Sequence, residues 1–268
     1  MKIKDLTSFL EKKFPLDFQE SYDNSGSQVL FPEASLKGIM FSLDLSNEIL
    51  TEALKKKCNL IITHHPFFFN PLRKIILSDP QSQIISKLLE KKVSVYALHT
   101  NLDKFYYNKL GEIYSGKENE LLFPTNDTLE GEKIGFGTVV KLEKALSLNR
   151  ILALTKERLK IDFVIYAGDL KQSIKTLAVL NGAGGGAIEK IISLDQKIEA
   201  ILTGDVNYHQ AQAALLKGVA VIDAGHYNTE KILLDFLKKE IDYFLKKNSQ
   251  KEIKLYLSKK ETNPFQVY

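Results

Sequence analysis

Residues 58–66 read CNLIITHHP: an apolar run, a threonine, two adjacent histidines and a proline. Such a short apolar run, stopped by a proline, predicts a buried strand that ends on its histidines. The segments around it alternate in type. Upstream, LKGIMFSLDLS (36–46) predicts a strand and SNEILTEALKKK (46–57) an amphipathic helix. Downstream, DPQSQIISKLLEKK (79–92) predicts a helix opened by the cap-like Asp79 and by Pro80, and VSVYALHTNLD (93–103) a third strand. Strands alternating with helices are the signature of an α/β protein with largely parallel strands.

The same alternation runs through the rest of the chain. MKIKDLTSFLEKKF (1–14) predicts an amphipathic helix, since charges interrupt every apolar stretch, and not a signal peptide. Residues 105–133, rich in Tyr, Asn, Glu and Gly, read as less regular. GFGTVVKL, SLNRILALTKERLK and DFVIYAG (within 135–168) predict a small strand–helix–strand unit. Beyond it come a strand leading into NGAGGG (181–186), helix AIEKIISL, strand EAILTGD, helix YHQAQAALLKG and strand VAVIDAGH. The long helix TEKILLDFLKKEIDYFLKK and a strand, EIKLYLS, follow.

Length and composition narrow the classes. A chain of 268 residues suits one large or two modest domains. With 44% hydrophobic and 26% charged residues it has the make-up of a soluble globular protein. The net charge is only +4, and arginine occurs only at 73, 150 and 158, so nucleic-acid binding gains no support. The single cysteine, Cys58, excludes an intramolecular disulfide and a thiolate zinc cluster. No apolar run approaches the roughly 18 to 20 residues of a membrane span, and a cytoplasmic location is expected.

The two halves share patterns. ALHTNLD (97–103) and AGHYNTE (224–230) both read Ala-x-His-x-Asn-x-acid after a β-rich run, and LIITHH answers AILTGD, with Thr63 and Thr203 at equivalent places. The expected architecture is therefore two similar α/β lobes with mixed, largely parallel sheets and a pseudo-twofold internal repeat, across which the polar strand ends would face each other. The first lobe would take residues 1–124, completed by 245–268, and the second 125–244.

In open α/β sheets, ligands bind beyond the carboxyl ends of the strands. All five histidines respect that rule: His64 and His65 follow one strand, His99 a second, His226 a third, and His209 lies just past LTGD. A neutral imidazole ligates a metal with little deprotonation cost. Asp103 and Glu230 each stand four residues after a histidine, a spacing that brings acid and imidazole onto one side of a helix. Imidazole and carboxylate without thiolate suit Zn, Fe, Mn or Co. Successive strand residues point in opposite directions, so His64 and His65 fit two ions better than one. A strand-end histidine can also be a satisfied polar residue, and His209 reads equally as part of a helix's first turn. NGAGGG admits two readings, anion binding at a helix N-terminus or tight packing of helix on strand. The phenylalanines of PFFF (66–69) are expected in the core.

Together, LIITHHPFFF, ALHTNLD, NGAGGG, ILTGDVNYHQAQAALLKGVAVIDAGHYNTEK and TNPF resemble, in order, the NGG-interacting factor 3-like family. Its members commonly carry the name GTP cyclohydrolase 1 type 2 homologue. The resemblance implies two α/β lobes around a dinuclear metal site and a toroidal homohexamer. It implies two divalent transition-metal ions per chain, with His64, His65, Asp103, His226 and Glu230 as ligands. This chain would be a short form, without the family's separate inserted domain. SYDNSG (21–26) looks like the family's Trp-Asp-Asn element with Tyr22 in place of Trp, followed by Ser25-Gly26 where Gly-Leu is usual. After HTNLD the chain runs KFYYNKLGE and not the family's Gly-Val-Asn. These departures touch the outer pocket and not the ligands.

The expected function is a dinuclear metal-dependent hydrolase acting on a small molecule, by resemblance a nucleotide whose purine ring is opened with release of formate. His99 and His209 are the candidate acids or bases, because imidazole titrates near working pH. Phosphoester hydrolysis by the same metal pair, or a non-catalytic metal-binding assembly or regulatory protein, are the alternatives.

Overall fold

The computed structural model describes residues 1–114, 116–129, 131–194 and 196–266. In chain order the elements are α1 (Ile3–Lys13), β1 (Gly26–Val29), β2 (Gly38–Ser42), α2 (Asn47–Lys55), β3 (Leu60–Thr63), α3 (Pro80–Lys91) and β4 (Ser94–Ala97). Next come α4 (Thr100–Phe105), β5 (Gly116–Leu129), β6 (Glu132–Ser147), α5 (Leu148–Leu159), β7 (Ile165–Ala167) and β8 (Ser173–Val179). The last are α6 (Ile188–Ile192), β9 (Ala200–Thr203), α7 (Tyr208–Leu216), β10 (Ala220–Asp223), α8 (His226–Lys247) and β11 (Lys254–Leu257). By packing the chain forms two units, Met1–Leu102 with Leu234–Tyr268, and Asp103–Leu233.

The first unit holds a five-stranded sheet in the order β1-β4-β3-β2-β11. β11, β2, β3 and β4 run parallel, and β1 is an antiparallel edge. Every residue of β2, β3 and β4 is buried, the pattern of strands covered on both faces. Met40, Ile61 and Val95 pack under Ile49, Leu50 and Ala53 of α2 and Leu88 of α3. The helices start where the caps predict: Ser46 Oγ accepts from Ile49 N, and Asp79 Oδ2 from Ser82 N at 3.0 Å. Cys58 belongs to this cluster, where burial pushes its thiol up to about 12, so it is inert packing.

The second unit holds a six-stranded mixed sheet in the order β5-β6-β8-β9-β10-β7. Only β8, β9 and β10 are parallel; the other pairings are antiparallel. Apolar clusters cover its two faces, one around Leu177, Ala200 and Ile222 with Ile151, the other around Ala178, Ile201 and Val221 with Ile188. Here the sequence misled in one place. Much of the stretch read as irregular is β5, a 14-residue strand paired with the 16-residue β6. As the outer strand of its sheet, β5 is held by backbone pairing and buries little, so it can carry polar residues and Pro124 without an apolar pattern. The pairing also places residues 116–124 in this sheet.

No helix among the described residues is long and apolar enough to cross a membrane. Ile61, wholly buried at the centre of the first sheet, tests the packing. Ile61→Ala should lower the unfolding free energy by about 2 to 5 kcal/mol, read by urea denaturation.

Candidate metal centre

β3 stops at Thr63, and the backbone bends through the two histidines. Its ladder ends in bonds from His64 N to Ser42 O (3.1 Å) and from His65 N to Leu43 O (2.8 Å). The alternation expected of a strand therefore no longer applies, and both rings turn the same way, with centroids 5.1 Å apart. His99 follows β4 and closes on both, at 5.1 and 5.4 Å between ring centroids. One ring nitrogen of each of the three lies within 4.8 Å of the others.

Each ring is steered through Nδ1. That of His64 donates to Leu98 O at 2.8 Å, that of His65 to Asp44 Oδ1 at 2.9 Å, and that of His99 to Asp23 Oδ1 at 2.8 Å. Carbonyl and carboxylate oxygens only accept, so the proton sits on Nδ1, and Nε2 carries the lone pair that could ligate a metal. Asp23 is the most heavily bonded of these acceptors. It also receives Thr100 N, Thr100 Oγ1 and Ser25 Oγ on Oδ2, at 3.1, 2.5 and 3.0 Å. Burial opposes its charge, but the bonds from His99 and Thr100 outweigh burial and hold its carboxyl well below the usual carboxylate range.

In the second unit the same design recurs after β9 and β10. Asp205, in the left-handed region at φ 57°, places Oδ2 2.8 Å from Nδ1 of His226. His226 opens α8, and one turn on Glu230 brings Oε2 to 3.0 Å from the histidine's Nε2. Glu230 is almost fully buried, as is Asp103 in α4.

NGAGGG serves these carboxylates. Asn181 Nδ2 donates to Asp103 Oδ1 at 2.7 Å. Gly182 (φ 64°) donates its N–H to Thr229 Oγ1 and passes so close to Glu230 that any Cβ would collide with Oε1. A Cβ at Gly184 would strike Thr203 Oγ1, and one at Gly185 the backbone of Asp205. Of the two readings of this loop, close packing accounts for Gly182, Gly184 and Gly185.

His209 stands apart from these clusters. It sits exposed in the first turn of α7, its ring against Tyr208, and no hydrogen bond or ion pair joins it to another histidine among the described residues. The orienting residues Asp23, Asp44, Asp205 and Asn181 were not legible as such. Asp44, Asp205 and Asn181 lie two residues beyond the ends of β2, β9 and β8, but nothing local links Asp23 to a histidine 76 positions away.

The donor set fits a divalent transition metal: imidazole Nε2 atoms fixed by their Nδ1 bonds, buried carboxylates, and no thiolate. The proton balance agrees. The adjacent Glu230 carboxylate outweighs burial and, with Asp205, raises His226 from 6.5 to about 9. A cation held by His226 and Glu230 would therefore compete with the proton that this pair favours. Because the folded value lies above the unfolded one, this pair's stabilisation is complete below about pH 6.5 and lost as pH rises through about 9. Denaturation of metal-free protein from pH 6 to 10 should show that decline, and Glu230→Gln should flatten it. Metal affinity should run the opposite way, tightening up to about pH 9 as the competing proton leaves.

Known proteins are similar to this chain in sequence and fold. The chain is 33% identical over 250 residues to a GTP cyclohydrolase 1 type 2 homolog of Clostridium acetobutylicum, with 92% of each chain covered. The crystal structure of Staphylococcus aureus protein SA1388 matches with a TM-score of 0.87 at 25% identity, over 100% of this chain and 99% of that one. A Bacillus cereus protein related to NIF3 has the same fold, with a TM-score of 0.91 at 20% identity over 100% and 99% of the two chains. The sequence profile of Duf34/NIF3 (NGG1p interacting factor 3) proteins matches residues 1–264, and the chain belongs to that family.

Proposed function

We propose that this protein is a hydrolase that uses two divalent transition-metal ions and acts on a nucleotide. The observation that carries the reading is the treatment of the imidazoles. Four of the five histidines have Nδ1 bound to an oxygen acceptor, so each presents Nε2 as the nitrogen that could ligate a metal. A merely satisfied surface histidine needs no such uniform arrangement. His64, His65, Asp103, His226 and Glu230 are the proposed ligands. Bound ions would supply Lewis acidity and a water of lowered pKa. Within the chain, Asp44, Asp205, Leu98 O and Asn181 orient the ligands. His99, backed by Asp23, presents Nε2 as the proton donor or acceptor for the reacting atoms. It is better placed for that role than the exposed His209. The name shared by the Clostridium relative supports GTP as substrate: one water opens the imidazole ring at C8 to a formamide, and a second releases formate. The family resemblance further supports a homohexamer, which mass photometry would show as six chains.

Elemental analysis after loading should find about two ions per chain, and Asp103→Ala or Glu230→Ala should reduce that number. A value near zero in the unaltered protein would end the metal reading. Loaded protein incubated with GTP should release formate; release of phosphate from GTP or generic phosphoesters would instead identify a phosphoesterase, and neither a metal-binding protein without turnover. His99→Ala should keep its metal while hydrolysis falls by about 10² to 10⁴, the scale of losing a general acid–base group. His226→Ala should lose metal and activity together. Loss of metal from His99→Ala to the same extent would move His99 into the ligand set.

A further inference from the structure

Phe69 departs from the expected core. It is 46% exposed, and Tyr22 is 63% exposed. β3 ends at Thr63, and the chain then leaves the sheet, with every residue from 69 to 80 exposed. Exposed aromatics that adjoin one another, unlike single ones, mark ligand or partner surfaces. These two lie beside the histidines. The Phe69 ring stands 6.2 Å from that of His99, edge to face, and Tyr22 lies 6.5 Å beyond Phe69.

The segments that carry them are held in place. Asn24 Nδ2 donates to Phe68 O (2.7 Å), Phe68 N to Gln28 Oε1 (2.9 Å), and Gln28 Nε2 to Asn24 O (2.7 Å). Gln81 Nε2 donates to Phe67 O at 3.1 Å. Three amide side chains thus hold the backbone of Phe67 and Phe68, just before Phe69, and Tyr22 adjoins the Asp23 that anchors His99. Phe69 also lines a cleft of about 460 Å³ with Arg73 and Lys74. That size suits a drug-sized ligand. Neither cation makes an ion pair among the described residues.

We propose that Tyr22 and Phe69 form a stacking platform for the heteroaromatic base of a nucleotide, and that Arg73 and Lys74 hold its phosphates. The proposal deepens the nucleotide-hydrolase reading and rests on it for the identity of the site. A base on Phe69 lies next to His99, and phosphates on Arg73 and Lys74 extend away from the histidines. Aromatic faces stack on any base, so the platform sets the ligand class and leaves the choice of base to other contacts.

Binding of GTP, guanosine and inorganic tripolyphosphate is measured by calorimetry on the full chain, metal-loaded and metal-free, with metal content and oligomeric state recorded for each variant. Phe69→Ala and Tyr22→Ala should each weaken GTP and guanosine by about 5- to 100-fold and leave tripolyphosphate nearly unchanged. Arg73→Gln with Lys74→Gln should weaken GTP and tripolyphosphate and spare guanosine. Phe69→Trp should keep GTP affinity and, in a chain with no other tryptophan, report the base by fluorescence quenching. The proposal is overturned if GTP binds Phe69→Ala as it binds the unaltered chain, or if neither GTP nor guanosine binds at all. It is equally overturned if Phe69→Ala changes only the oligomeric state, which would make the platform a contact between copies. Nucleotide binding through Phe69 by a protein that takes up no metal on loading would sink the hydrolase reading and leave the platform standing. Two bound ions with no effect at Phe69 would do the reverse.

Discussion

Parallel strands buried on both faces leave no room for polar side chains along their length, and the site follows from that constraint. β2, β3 and β4 are buried at every position, as is β9. A polar group on such a strand must wait until the sheet ends. The carboxyl ends are where the backbone bends, the ladder loosens and neighbouring segments come within a few ångströms. Parallel registry makes those ends coincide: Thr63 lies opposite Ala97, and Thr203 opposite Asp223. His64, His65 and His99 meet in the first unit for this reason, as Asp205 and His226 do in the second.

Meeting is not enough for chemistry, since an imidazole has two nitrogens and rotates freely. The acceptors on Nδ1 remove that freedom and choose the tautomer. Their cost is borne locally: Asp23 keeps its charge despite burial through bonds from the residues around it. Glu230 stands against Gly182 with no space for a side chain between them. A glycine-rich loop that might be taken for a phosphate cradle is here a means of bringing backbone against a buried carboxylate.

The aromatics at 22 and 69 show the opposite economy. A side chain that packing would have buried is left half exposed, while three hydrogen bonds with amide side chains fix the backbone just before it. Arg73 and Lys74, which make no ion pair among the described residues, line the adjoining cleft, and this is the surface proposed to receive a nucleotide. The departures from the family pattern at Tyr22 fall on this surface, and the residues proposed as ligands do not.

The order of strands and helices, the caps at Ser46 and Asp79, and the placing of all five histidines after strands were legible in the sequence. They depend on periodicity and on neighbours within one turn. So was the pairing of His226 with Glu230, because four residues make one helical turn. The β5 strand was not, since an edge strand is held by backbone bonds that leave no apolar pattern. The convergence of His64 and His65 also escaped the sequence: a two-residue periodicity holds only while the strand lasts, and the strand ends one residue earlier. The partners of the histidines lie 21, 34 and 76 positions away in the chain. No local rule joins such residues. Only the sheet, by setting the registry of its strand ends, decides which carboxylate reaches which imidazole.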